Sequence, residues 1–194
     1  MKRGWTRFWG SVSLAAVTAL QAGGAGRPQQ PAKRVNELTL AGMRPGRDTV
    51  ARAAVRRSEF VGGGENESEY RWKNGCRPES LTVLTQEGGI VSEVRVSGLA
   101  SSGTRNCAEQ NPPSRWRTGR TLGVNDPAIR VVQLYGQPDS RSPSTRSGQR
   151  LELLYYAFDW AGPDVPQVME VVCTVGKDGE PGRVVEITLA ASSL

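Results

Sequence analysis

The sequence predicts an α+β protein: two tandem helix-plus-antiparallel-strand repeats, with the helices packed on one face of the sheet or sheets. Three observations predict it. A glycine and a helix-capping residue type open each half, as Gly46-Arg47-Asp48-Thr49 and as Gly123-Val124-Asn125-Asp126. A short aromatic strand follows in each half, Tyr70-Arg71-Trp72 and Leu153 to Phe158. Each half then ends in a hairpin whose residues alternate between apolar and polar.

The helices come first in each half. Val50 to Arg57 is helix-compatible on the left, and Pro127 to Tyr135 on the right. The Asp or Asn before each run can accept from the free N–H groups of a helix start. Pro127 falls at the first helical position, where its missing N–H costs nothing. Ile129, Val132 and Tyr135 recur at helical spacing, and Gly136-Gln137-Pro138 stops the helix.

The hairpins come next. Leu81 to Thr85 turns at Glu87-Gly88-Gly89 into Ile90 to Val96. Met169 to Val175 turns at Asp178-Gly179 into Val184 to Leu189. The right half is longer by the loop Asp159 to Gln167. One such unit covers its own sheet poorly, so two side by side are expected to share a longer one.

The first residues read differently. Lys2, Arg3 and Arg7 precede an uncharged apolar run, Ser11 to Leu20, and then small residues from Ala22 to Gly26. That order is a secretory signal, and the run is too short for a bilayer span. The domain expectation is therefore a signal peptide at 1–25, a spacer at 26–36, repeat 1 at 37–99, a linker at 100–120 and repeat 2 at 121–194. The spacer carries Pro28 and Pro31, and the linker Pro112-Pro113. Localisation follows as periplasmic or extracellular, with no lipid-acceptor cysteine beside the cleavage region.

The chain holds 25 Lys+Arg against 19 Asp+Glu and no His. No acid lies in the leader, so part of the basic excess belongs to it. No basic block with interleaved aromatics tracks a phosphate backbone, so no nucleic-acid partner is expected. The absence of His removes Ser-His-Asp and Cys-His chemistry and the commonest zinc ligand. Neither Gly62-Gly63-Gly64 nor the Gly23 to Gly26 run continues into the Lys-Ser/Thr of a phosphate loop. The carboxylates Glu65, Glu67 and Glu69, and Asp159 and Asp164, sit in polar loops and read as solvated. No catalytic residue, metal site or cofactor is expected.

Export permits a disulfide. Cys76 and Cys107 each follow turn-like residues and bracket one hairpin, so they are the expected pair. Closing that ~30-residue loop contributes roughly 3–4 kcal/mol in the chain-entropy picture. Cys173 lies in an apolar strand and reads as a small buried hydrophobe.

The segment Leu122 to Asp139 with Tyr155 to Leu189, and more weakly Leu38 to Val96, resembles the small envelope domain of the SmpA/OmlA (BamE-like) assembly lipoproteins and the tandem β-lactamase inhibitory proteins. The motif is a glycine-led helix, Leu134-Tyr135-Gly136-Gln137-Pro138-Asp139, an aromatic strand and a hairpin with an Asp-Gly turn. The left copy has Gly62-Gly63-Gly64 where the right has its Gly-Gln-Pro stop. The resemblance implies protein binding rather than catalysis, in one branch through a concave sheet.

The residues that suit such binding are aromatic. Tyr156, Phe158 and Trp160 share one face of a strand, and Leu153, Tyr155 and Ala157 the other. Tyr70 and Trp72 share a face beside Arg71 and Lys73. Trp116 stands between Arg115 and Arg117. With helices on one face only, the expected binding residues are Tyr70, Trp72, Trp116, Tyr156, Phe158 and Trp160. The plainer reading of each ring is core. The leading expectation is an exported, non-enzymatic protein-binding module. Its alternatives are a structural envelope protein without a ligand and a small carboxylate-dependent hydrolase.

Overall fold

The computed structural model describes residues 36–50, 68–73, 78–98, 116–158, 167–176 and 182–191. Among them are β1 (Glu69–Lys73), β2 (Ser80–Thr85), β3 (Val91–Ser97), α1 (Ala128–Tyr135), β4 (Ser140–Arg146), β5 (Gln149–Phe158), β6 (Gln167–Thr174) and β7 (Val184–Ala191). A short 3-10 turn, Glu87–Gly89, joins β2 to β3. Both expected hairpins are present, with bounds shifted by one or two residues.

The seven strands make one antiparallel sheet in the order β1-β2-β3-β7-β6-β5-β4. This corrects the expected architecture of helix-plus-strand tandem repeats: the described residues hold one continuous sheet and a single helix. The expected helix over Val50 to Arg57 lies, beyond Val50, outside the described residues. The two returning strands pair directly, with Val94 opposite Leu189 and Val96 opposite Ile187. Each thereby covers the other's bare edge, whose unpaired N–H and C=O groups would otherwise face solvent. Alternation within a strand fixes its two faces but not its neighbour, so this join left no mark in the sequence pattern.

β4 was not expected, because Ser140–Arg146 has no apolar alternation and all seven residues are exposed. It forms because it continues from a tight turn. Ser147 (φ 50°) and Gly148 (φ 76°) both take positive φ, the two-residue geometry that matches strand twist. The turn then sets the register of β4 on β5, from Arg146 opposite Gln149 to Ser140 opposite Tyr155.

One face of the sheet is sealed. Trp72, Leu81, Val83, Val94, Val96, Ile187, Leu189, Met169, Val171, Leu154, Tyr156 and Phe158 point into a single core. α1 packs there through Val131 and Tyr135, both buried. The expected inward stripe was Ile129, Val132 and Tyr135; instead Ile129 is 58% exposed. The helix is turned so that Val131 and Tyr135, spaced i and i+4, both reach the sheet. Gly136 ends it at φ 79°, with its N–H donating to the Val132 carbonyl, as expected. Pro127 precedes the helix, and Asp126 caps its own loop by accepting from the Gly123 N–H at 3.0 Å.

Residues 36–50 close the same layer. Leu40 bridges Thr118, and Thr49 bridges Ile90. Glu37 is the polar centre of this closure and is 2% exposed. Its Oε1 accepts from the Leu38, Thr39 and Gly119 N–H groups at 2.9, 3.1 and 3.0 Å. Its Oε2 accepts from the Arg120 N–H at 3.2 Å and from the Tyr135 hydroxyl at 2.6 Å.

Candidate functional site

The site is built from the parity of the strands. Side chains alternate across a sheet, so the residues between the core positions share the opposite face. Reading across the ladder, one row runs Arg71, Thr82, Arg95, Thr188, Glu170, Tyr155 and Ser140. A second runs Glu69, Leu84, Glu93, Ala190, Val168 and Ala157. A third runs Lys73, Ser80, Ser97, Glu186, Val172, Leu153 and Ser142. No helix among the described residues packs on this face.

The rows divide it in two. The β1–β3 half is charged, with ion pairs along single strands: Arg71 to Glu69 at 2.6 Å and Arg95 to Glu93 at 2.8 Å. These pairs are solvated and contribute little stability. The β5–β7 half carries Leu153, Tyr155, Val168 and Ala190, all partly exposed, with Ala157 exposed and Val172 buried among them.

One ion pair ties the two ends of that apolar half. Arg146, at the tip of the β4–β5 hairpin, donates to Glu186 of β7 at 2.9 Å. In the strand order β5 and β6 stand between β4 and β7, so the contact joins strands that are not neighbours. Leu151 and Val172, on the same face, are 2% and 7% exposed. The hydrogen bond to Glu186, aided by its charge, holds the Arg146 guanidinium pKa above its ordinary value.

The expected aromatic site is corrected here. Tyr156 and Phe158, 0% and 2% exposed, belong to the sealed face. Their rings meet Tyr135 of α1 at centroid distances of 5.9 and 6.4 Å, and the Tyr156 hydroxyl donates to the Gly136 carbonyl at 3.1 Å. The helix thus chose the Tyr156 side of the strand and left Tyr155 on the other. Trp72 is 1% exposed, with Tyr70 stacked beside it at 6.4 Å and half-buried. Trp116 is half-buried and packs against the same core. Trp160 lies outside the described residues, as do Cys76 and Cys107 and hence their expected disulfide. Cys173 is a free, buried cysteine, in line with its reading as a small hydrophobe. The residues missed were Tyr155 and Leu153. The signal that could have found them was the apolar second face of the same strand.

Among the described residues, no group of three or more His, Cys, Asp or Glu could hold a metal ion. No helix among them is long and apolar enough to cross a membrane. Compared with known proteins, the chain matches no family model, no curated protein and no solved structure.

Proposed function

We propose that this chain is an exported, non-enzymatic protein-binding module that works through the helix-free face of its sheet. The observation that carries the reading is the partial exposure of Leu153, Tyr155 and Val168 and the exposure of Ala157, with Glu170 among them and the charged residues Arg71, Arg95 and Glu93 across the same face. A half-buried tyrosine with aliphatic neighbours and an arginine-bearing rim has the make-up of an interface centre and its surround. A sheet presents those groups at low entropic cost, because its backbone is already ordered. Export enters through the charged, apolar and small-residue order of residues 2–26.

The test is site-specific crosslinking in the cell that makes the protein. A photo-crosslinking amino acid is placed at position 155, at position 95, and at the exposed Gln86 before the β2–β3 turn. The reading expects one discrete adduct from 155 and 95, and none from 86. Equal adducts at all three positions, or none at 155, would sink it and favour a structural protein with no ligand on this face.

A further inference from the structure

One end of the sheet carries a second surface, distinct from the open face. It is assembled where β5 begins, β6 ends, β7 begins and α1 starts. Pro127 bridges Arg183, and the Ala128 N–H donates to the Gly182 carbonyl at 2.8 Å. The Thr174 N–H donates to the Arg183 carbonyl at 2.8 Å, and the Val175 N–H to the Arg150 carbonyl at 3.3 Å. These contacts bring Ile129, Val175, Arg150 and Arg183 to one edge. Ile129 and Val175 are 58% and 42% exposed, two of the three large apolar side chains exposed among the described residues.

The loop 121–126 adds more arginines to that edge. Arg117 Nη1 donates to the Thr121 carbonyl at 2.7 Å, and Arg183 Nη1 to the Asn125 carbonyl at 3.1 Å. Arg130 Nη2 donates to the Thr121 hydroxyl at 3.0 Å. Asp126 is shared by Arg117 at 3.3 Å and Arg130 at 3.4 Å. Arg120 is exposed at the head of the same loop. Besides Asp126, the described carboxylates toward this end include Glu37, which is buried and taken by backbone N–H groups, and Glu152 and Glu186, which pair with Arg141 and Arg146.

We propose that this end is a docking surface for an acidic polypeptide segment carrying apolar side chains. Single exposed aliphatic residues are ordinary, but two of them set among under-compensated arginines are a pattern with a partner. The placed guanidiniums favour a polypeptide over a lipid surface. Arg117 and Arg183 are fixed by main-chain carbonyls, so little freedom is lost when a carboxylate arrives. The fork geometry of guanidinium matches carboxylates, and arginine rather than lysine is the cation enriched in protein interfaces.

The test uses the full chain and a synthetic peptide of repeated Glu-Glu-Leu, against the same peptide with Gln for Glu. Binding is read by fluorescence anisotropy, and its location by hydrogen exchange. The expected result is binding of the acidic peptide at least tenfold tighter than of its Gln counterpart, weakening with salt, with protection over 117–130, 174–176 and 182–185. The double variant Arg120→Ala with Arg150→Ala is expected to weaken it about tenfold. Neither side chain makes a hydrogen bond or ion pair among the described residues, so the fold is kept. Ile129→Asp weakens it further. Equal binding of both peptides, or no effect of these variants, overturns the proposal. Protection of this end by phosphatidylglycerol vesicles without any peptide binding also overturns it, in favour of a lipid surface.

Discussion

Glu37 shows how much one side chain can organise. Its carboxylate takes four backbone N–H groups and the Tyr135 hydroxyl, tying residues 36–50 and the turn at 118–121 to the helix. Replacing one carboxylate oxygen by an NH2 group would set donor against donor in a buried place. Glu37→Gln is therefore expected to cost about 3 kcal/mol, read as a lower denaturant midpoint with unchanged slope. Burial, the hydrogen bond to Glu37 and its charge raise the Tyr135 pKa. Burial pushes the Cys173 thiol up to about 12. For both groups the folded pKa lies above the unfolded one, so their stabilising effect is complete below the unfolded value. For Cys173 it is lost as pH climbs from about 8.5, the ordinary thiol value, through about 12. Native protein should thus resist a thiol reagent at this site at pH 8, and its denaturant midpoint should fall by pH 10.5. Cys173→Ala should reduce that fall. Cys173 was legible as a buried hydrophobe from the apolar run around it. Glu37 was not, because four of its five partners are main-chain N–H groups, two of them some 80 positions away at 119 and 120, and backbone donors leave no residue signature.

At the scale of elements, the hairpins were legible and their partners were not. Alternation marked β2, β3, β6 and β7 to within two residues. It gave both faces of β5 as apolar without saying which one a helix would cover. That choice rests on the rotation of α1, which places Val131 and Tyr135, not Ile129, against the sheet. β4 shows the opposite limit, a strand made by its turn and not by its side chains. It is also an edge. The Val175 N–H reaches the Arg150 carbonyl, so even-numbered β5 positions pair with β6 and odd ones with β4. Pro143, opposite Glu152, then directs its nitrogen outward. A proline there breaks the row of outward donors that another chain would use, and Arg141 and Arg146 add charge. Pro143→Val is expected to leave the monomer's stability nearly unchanged and to raise self-association, seen by analytical ultracentrifugation. A monomer at all concentrations would show that the edge is guarded by something else.

Among the described residues the strands form one sheet because β3 and β7 meet, and the fold departs from the expected helix-plus-strand repeats in holding a single helix. The joined sheet has a core on one side and a broad surface on the other. The account's central claim is that these two sides do different work: one holds the chain together and the other meets a partner. Adjacent tyrosines on β5 test this most directly. Tyr156→Ala and Tyr155→Ala are each measured for denaturant stability and for crosslinking from position 95. Tyr156→Ala should lose about 3–5 kcal/mol, as a large buried side chain does, while Tyr155→Ala should keep its stability within ~1 kcal/mol and lose the adduct. Equal loss of stability in both variants, or a Tyr155→Ala protein that still forms the adduct at full yield, would contradict the claim.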